Sequence, residues 1–257
     1  MPKITSYQEG TPCWISLATS DIDTAKSFYA ELFGWSYDDT GEAGGGYQMA
    51  TLAGEQVAGI DPKPPGEPGP DAWLTFLWAD NVDSVVRKLQ ESGGTLAMEP
   101  MDVMDQGRMA IAIDPVSAVF GLWQGGAHRG AGLANEPGTF VWNDCLATDP
   151  DRARTFYQQI FGYEYESVEA GLPDYTTFKV AGRPVGGIGA QPPEVPQGVP
   201  SFWNTYFSVE DIDQSVAKIR ELGGEIIAGP HTKPFGRFAV ARDQGGASFC
   251  VHTAPSG

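Results

Sequence analysis

The sequence contains little of what disulfide scaffolds, metal clusters and nucleic-acid interfaces require. It has three cysteines in 257 residues, none in a Cys-x-x-Cys pair, so neither a disulfide framework nor a zinc cluster is indicated. Lysine and arginine total 16 against 33 acidic residues, which gives a formal net charge of −17. Because phosphate groups are bound by clustered basic side chains, we expect neither nucleic acid nor an anionic membrane surface as a partner.

Long apolar segments are also missing. No apolar run approaches the ~20 residues that a membrane-spanning helix needs. The first residues, MPKIT, show no apolar core of a secretory signal. We therefore expect a protein of the reducing cytoplasm. The hydrophobic share of 41% is sufficient for a packed core.

The chain does contain a long internal repeat. The segment at 14–29 returns at 142–157 with the same order of residue types. Each copy passes from an apolar run through an Asp-rich turn into apolar residues at helical spacing, which predicts a strand, a cap and a helix. A weaker copy of this order follows each one and ends in Gly93-Gly94 or Gly223-Gly224. The chain therefore holds four units of strand, helix and two or three strands.

A glycine-rich stretch at 125–138 separates the two halves. It predicts two domains, residues 1–128 and 129–257. The expected class is α+β, with helices covering one face of each sheet while the other face curves around a cavity. Because the fused repeat already supplies an internal two-fold partner, we expect a monomer or a homodimer. The sequence leaves open whether the first unit pairs with the second or with the fourth.

These motifs resemble the vicinal oxygen chelate superfamily, which includes glyoxalase I, bleomycin-resistance proteins and extradiol dioxygenases. The motifs are DIDTAKSFY at 21–29 with FGW at 33–35, and DPDRARTFY at 149–157 with FGY at 161–163. The resemblance covers nearly the whole chain and implies tandem glyoxalase-like domains, in which four βαβββ units form two cup-shaped sheets. The layout is similar to that of two-domain actinobacterial members labelled hydroxylase or glyoxalase-like.

The resemblance also implies where a metal would be held. Enzymes of this superfamily bind a divalent ion through His, Gln and Glu on the first and last strands of a unit. The matching positions here are Trp14, Leu74, Trp142 and Asn204 on first strands, and Gly59, Gly121, Gly187 and Cys250 on last strands. Because none of them is a His or a Glu, we expect no metal and no other cofactor. Glyoxalase I and dioxygenase chemistry, which need the metal, are then not expected.

Strand alternation predicts which side chains line the cavities. These are Trp14 with Ser16, Trp142 with Asp144, Asn204 with Tyr206, Cys250 with His252, and Trp123. The tryptophans either fill space as plain core or stack on a flat organic ligand.

Asp144 is the main candidate for chemistry. It either serves as a general acid or base with a pKa raised by burial, or is satisfied by a backbone group or an arginine. His252 is a candidate partner from another strand. Cys250 and His252 stand about 7 Å apart along one strand, too far for a nucleophile–base pair. The counterpart of Asp144 in the first half is Ser16, so any chemistry is confined to one cavity.

Arg108 and Arg237 occupy equivalent positions in the two halves, each after a glycine at the start of a strand. Each either forms an ion pair with an acid of a helix or turn, or binds an anionic group of a ligand. We include Arg237 among the predicted ligand-binding residues.

Two functions are compatible with these patterns. The first is metal-independent binding of a small, partly aromatic molecule in Trp-lined cavities, for antibiotic or metabolite binding or detoxification. The second is an enzyme: a lyase or isomerase with Asp144 as acid or base, or a glyoxalase-like enzyme with a displaced metal site. Convergence of Asp144, His252 and another acid at one point would favour the enzyme.

Overall fold

A computed structural model describes residues 3–41, 44–64, 66, 69–168, 171 and 173–255. The helices in this part of the chain are α1 (Ile22–Phe33), α2 (Val82–Glu91), α3 (Pro150–Phe161) and α4 (Ile212–Glu221). The strands of the first half are β1 (Pro12–Thr19), β2 (Ser36–Asp39), β3 (Gln48–Leu52), β4 (Glu55–Pro62), β5 (Ala72–Trp78), β6 (Thr95–Val103), β7 (Gly107–Ile113) and β8 (Val119–Gly125). Those of the second half are β9 (Phe140–Ala147), β10 (Glu164–Ser167), β11 (Thr176–Val180), β12 (Arg183–Ala190), β13 (Phe202–Ser208), β14 (Glu225–Lys233), β15 (Gly236–Arg242) and β16 (Ser248–Thr253).

Each half forms one eight-stranded sheet. The strand orders are β2-β3-β4-β1-β5-β8-β7-β6 and β10-β11-β12-β9-β13-β16-β15-β14. The central pairs β1–β5 and β9–β13 are antiparallel, with Trp14 opposite Phe76 and Tyr206 opposite Trp142. The first unit therefore pairs with the second, and the third with the fourth. The predicted α+β class, with four βαβββ units in two cup-shaped sheets, is confirmed.

The helices begin and end where side-chain chemistry allows. Asp21 and Asp149 accept hydrogen bonds from the backbone N–H of the third residue after each, and so cap α1 and α3. Gly34 and Gly162 end these helices at φ 75° and 70°, a left-handed conformation that glycine adopts without steric cost. Asn81 and Asp211 cap α2 and α4 in the same way.

The edge strands β2, β6, β10 and β14 are the elements that the sequence does not clearly mark. The residues of β6 and β14 are mostly exposed or half-buried. Because no buried face imposes an alternation of apolar and polar residues, the period-2 signal of a strand is weak there.

The two sheets pack through their helix-bearing faces, and their central strands also touch directly, since the Thr75 hydroxyl of β5 donates to Asn143 of β9 at 2.9 Å. Helix α1 lies beside α4, and α2 beside α3. Phe33 of α1 packs against Phe207 of β13 with ring centroids 4.7 Å apart, and Phe156 of α3 packs edge-on against Phe120 of β8 at 6.4 Å. We call the opposite, helix-free faces of the two sheets the first cup and the second cup. They open away from each other.

Two buried tyrosine–aspartate contacts join the halves. The Tyr29 hydroxyl donates to Asp243 at 2.8 Å, and the Tyr157 hydroxyl donates to Asp114 at 3.1 Å. Each aspartate sits in the turn before a last strand and also accepts backbone N–H groups, as Asp114 does from Ala118 at 2.7 Å. An α-helix of one half is thereby tied to a turn of the other.

The connecting segment, which we define as residues 126–139, joins β8 to β9. It packs on the first sheet, where the backbone N–H of Ala131 donates to the Cys13 carbonyl at 2.8 Å. The predicted domain boundary at 128/129 falls inside this segment and stays a prediction. In the described part of the chain, no helix is long and apolar enough to cross a membrane.

The interface carboxyl of Asp114 predicts a pH dependence of stability. Burial raises its pKa to about 6, above the ~3.9 of an unfolded aspartate. The folded state therefore binds this proton more tightly. The associated stability, about 3 kcal/mol, is present below pH 4 and lost as the pH rises through 6. We expect Asp114→Asn to reduce the fall in the free energy of unfolding over this window by about 3 kcal/mol, as measured by urea denaturation. The exposed Glu99→Gln should not, and equal curves for both variants would contradict the assignment.

Candidate functional site in the second cup

The second cup is built from alternate residues of its central strands. Cys145 and Trp203 point to the helix side of the sheet and pack with the helices, so their neighbours Asp144 and Asn204 face the cup. Further along β13, Tyr206 lies opposite Cys250 of the neighbouring strand β16, and both sit in a small apolar cluster with Phe238. Half-buried Val141, Trp142, Phe235 and Val240 pack around that cluster. The sequence placed Trp142 with Asp144, Asn204 with Tyr206, and Cys250 with His252 on cavity-lining faces, and the structure brings these three pairs together in the second cup.

Asp144 lies at the bottom of the cup and is 1% exposed. The Tyr175 hydroxyl donates to its Oδ1 at 2.5 Å, and Tyr206 also donates to the carboxylate. The Trp142 indole N–H donates to Tyr175 Oη at 2.9 Å. Among the described residues, no backbone group or arginine hydrogen-bonds to Asp144. Its partners are the phenols of Tyr175 and Tyr206 and the indole of Trp142.

Burial raises the pKa of Asp144 to about 6, and the hydrogen bonds from Tyr175, Tyr206 and Trp142 partly oppose that rise. Desolvation and the neighbouring carboxylate also raise the pKa of both tyrosines well above 10, so both remain protonated donors. Among the described residues Asp144 forms no salt bridge. The carboxyl can therefore change protonation near neutral pH inside an apolar wall.

His252 does not meet Asp144. Its Nε2 lies 3.0 Å from the Phe235 carbonyl, to which it donates, and its ring stacks on Phe235 with centroids 5.9 Å apart. Cys250 accepts a hydrogen bond from the Asn204 side-chain amide at 3.2 Å, and burial raises the pKa of its thiol to about 12. The thiol is thus not an activated nucleophile. The three-group convergence that would favour an enzyme is not present here.

Arg237 as a ligand-binding residue of the cup is a wrong prediction. Its guanidinium forms a two-point ion pair with Asp213 at the start of α4, at 2.8 and 2.9 Å. Along β15 Phe238 faces the cup, so Arg237 points to the helix side of the sheet. Arg108 repeats the arrangement with Asp83 of α2. The ion-pair alternative is the one that the structure supports.

The first cup holds Trp14, Ser16 and Trp123, as alternation predicts, but its carboxylate stands elsewhere. The Ser16 hydroxyl donates to Asp61 on β4 at 2.6 Å, and burial raises the pKa of Asp61 to about 6. The Trp14 indole N–H donates to Tyr47 at 2.9 Å. Each cup therefore has a Trp–Tyr pair near one carboxylate.

Sequence reasoning missed Tyr47, Tyr175 and Asp61. The signal was available for the tyrosines, since they occupy equivalent positions of the repeat, as do the tryptophans that they contact. Asp61 had no such signal because its counterpart is Gly189.

The tyrosines fill the space of expected metal ligands. A Cβ built at Gly187 would lie 1.8 Å from Tyr175 Oη, and one at Gly59 would lie 1.7 Å from Tyr47 Oη. At Gly121 a Cβ would lie 2.1 Å from the Phe76 ring. No metal-binding side chain fits at these positions without displacing an aromatic ring.

Two open grooves elsewhere on the surface contain none of the predicted site residues. One lies between α1 and the end of α4 beside Phe28, and the other follows the loop at 190–200. Neither contains a buried carboxylate beside aromatic rings. The chemistry therefore favours the second cup.

Comparison with known proteins agrees with this architecture. The family model described as Glyoxalase/Bleomycin resistance protein/Dioxygenase superfamily matches residues 12–121 and again 139–251. The chain belongs to this superfamily. A Mycobacterium bovis relative, "Putative glyoxylase CFP32", is 46% identical, with 98% of this chain and 97% of the relative covered. The "Anthracycline biosynthesis protein DnrV" of Streptomyces peucetius is 31% identical, with 96% and 94% covered.

Solved structures of the superfamily share the fold at low identity. The Mn(II)-bound glyoxalase of Novosphingobium aromaticivorans has a TM-score of 0.66 at 17% identity, with 96% of this chain and 83% of that chain covered. The 2,3-dioxygenase LapB of Pseudomonas sp. KL28 has a TM-score of 0.68 at 12% identity, with 97% and 94% covered.

A divalent metal of the kind in the Mn(II)-bound glyoxalase does not fit the residues of this chain. In the ranges that the structure describes, no three His, Cys, Asp or Glu side chains converge as a ligand set. The ligand positions hold Trp14 and Trp142, and the tyrosine hydroxyls occupy the space above Gly59 and Gly187. We therefore derive no chemistry through a metal.

The Tyr175–Asp144 contact yields a direct prediction. Tyr175→Phe removes a donor that stabilises the ionised carboxylate, so the pKa of Asp144 should rise further, by about one unit. Carboxyl ¹³C NMR titration of the two proteins measures it. The matched control is Tyr47→Phe in the first cup, which should leave Asp144 unaffected. An unchanged Asp144 titration in Tyr175→Phe would show that this hydrogen bond does not form.

Proposed function

We propose that this protein binds a small, planar, hydroxylated aromatic molecule in the second cup without a divalent metal. The observation that carries the proposal is a buried Asp144, hydrogen-bonded to two tyrosines beneath the half-buried Trp142. Apolar walls with a few convergent polar groups are the usual composition of a small-molecule site.

Trp142 supplies the stacking surface. Among the described residues no aromatic ring packs on it, whereas its counterpart Trp14 is 3% exposed and in contact with His128. The face of an indole attracts flat aromatic rings through dispersion and offset stacking. Phe235 and Phe238 continue the aromatic wall on the other side.

The tyrosines explain a preference for hydroxyl groups. Tyr175 Oη donates to Asp144 and accepts from Trp142, so its hydrogen-bonding capacity is largely used. Tyr206 Oη donates to Asp144 and accepts from the Cys250 thiol, which leaves it one further acceptor lone pair. A ligand hydroxyl that donates to Tyr206 extends this chain of hydrogen bonds, and each link polarises the next.

The Streptomyces peucetius relative supports this ligand class. Its name assigns it to anthracycline biosynthesis, and anthracyclines contain planar fused rings with hydroxyl groups. The three buried, unpaired cysteines support a reducing cytoplasmic setting for the protein. We further propose that the protein is a monomer or homodimer and that it binds neither nucleic acid nor membrane.

Binding of fused-ring phenols tests the proposal. A panel from 2-naphthol to 1,4-dihydroxyanthraquinone is titrated while tryptophan fluorescence is recorded, with and without EDTA. We expect one site per chain that is insensitive to EDTA. Trp142→Ala should weaken it about ten-fold or more, because stacking area is lost.

The control is Trp78→Ala, which removes another half-buried tryptophan, outside the second cup. It should bind as the wild type does. Failure of the whole panel, loss of binding with EDTA, or equal loss in both variants would overturn the proposal.

A second candidate function is a lyase or isomerase reaction with Asp144 as acid or base. The raised pKa of about 6 favours it, since a group that titrates near neutral pH transfers protons efficiently. The displaced-metal alternative has no comparable support, because no ligand set converges in the described residues.

Asp144→Asn separates the two candidates. The amide preserves an acceptor for Tyr175 but cannot take up a proton. Each ligand of the panel is incubated with the wild-type protein and followed by mass spectrometry. For any ligand that the wild type changes chemically, we expect Asp144→Asn to retain its affinity within a few-fold and to lose turnover. Recovery of every bound ligand unchanged from the wild type would refute the catalytic candidate.

A further inference from the structure

The connecting segment crosses the first cup between two strands that lie side by side. Besides the bond from Ala131 to Cys13 of β1, the Gly132 N–H donates to the Gln56 carbonyl of β4 at 2.8 Å. The Tyr7 hydroxyl donates to the Ala131 carbonyl at 2.8 Å. The segment is therefore held in place by backbone hydrogen bonds on both sides.

This placement puts the His128 ring between the two tryptophans of the first cup. The ring contacts Trp14 in a T-shaped arrangement with centroids 4.4 Å apart, and Trp123 at 5.4 Å with an interplanar angle of 57°. The Trp123 indole N–H also donates to the His128 carbonyl at 3.1 Å. His128 is 6% exposed.

The ring is held as a neutral imidazole. Its Nδ1 lies 2.8 Å from Gln56 Oε1, an acceptor, which places the proton on Nδ1. The other nitrogen, Nε2, has no hydrogen-bond partner among the described residues. Burial lowers the pKa of His128 to about 4. Two indoles and one amide oxygen thus surround a flat, uncharged, five-membered ring.

We propose that the first cup is a binding slot for a neutral azole ring, and that His128 is its built-in ligand. A ligand on the same chain has a high effective concentration and excludes external competitors. The two cups of the protein then differ in kind, because the first is occupied by its own side chain and only the second accepts an external molecule.

Imidazole rescue of a His128 variant tests this assignment. His128→Ala vacates the ring position, so we expect its thermal midpoint to fall and to recover with imidazole. At ten times the Kd the recovery should be about 3–6 °C. Wild-type protein should not respond, because its slot is filled. 1-Methylimidazole, which has no N–H for Gln56, should restore much less.

The filled control is His128→Leu, in which an apolar side chain occupies the slot and imidazole should have no effect. The proposal is overturned if His128→Ala folds, as judged by circular dichroism, and its thermal midpoint rises no more with imidazole than that of His128→Leu.

If His128→Ala does not fold, ¹⁵N NMR of the wild type decides. A slowly exchanging Nδ1–H and no titration of His128 above pH 5 support the slot, and a freely titrating ring refutes it. The second cup is not involved, so this test and the ligand titration can fail separately.

Discussion

The architecture depends on two buried hydrogen bonds between the halves, Tyr29 to Asp243 and Tyr157 to Asp114. Each is strengthened by a tryptophan indole that donates to the tyrosine, Trp73 in one case and Trp203 in the other. Because an unpaired buried carboxylate or phenol would be costly, these contacts fix the helix of one half against a turn of the other. The helix faces of both sheets are then consumed by packing, and the cups must face outward and apart.

The outward-facing cups have separate surroundings, and their chemistry differs. The Trp–Tyr pair is present in both, at equivalent positions of the repeat. The carboxylate stands on a different strand in each, Asp61 on β4 in the first cup and Asp144 on β9 in the second. The first cup is closed by the connecting segment, whereas Trp142 remains half-buried. One scaffold therefore carries a cup covered by its own chain and a cup whose tryptophan is half-buried.

The tyrosines also explain how a fold associated with metal ions is stable with a different set of polar groups. Gly59 and Gly187 leave the space into which Tyr47 and Tyr175 project. A hydrogen bond between a phenol and a carboxyl group satisfies two buried polar groups at once. If the carboxyl is protonated, no ion is needed to balance its charge. The network of Asp144 can thus be polar, dry and nearly neutral.

The sequence by itself determined the repeat, the four units and which residues of the central strands share a face, because strand alternation and helical spacing are local properties. It placed Trp142 with Asp144 on one cavity-lining face and Asn204 with Tyr206 on another for this reason, and only the structure brought the two faces into one cup. It could not identify the partners of Asp144, since Tyr175 precedes β11 and reaches the cup only through the sheet order. It placed Arg237 in the wrong environment, because an arginine at the start of a strand can reach either a helix or a cup, and the position of Asp213 decided between them. Only the tertiary structure showed that His128 lies between Trp14 and Trp123, since the path of a glycine-rich connection depends on long-range contacts that no local pattern encodes.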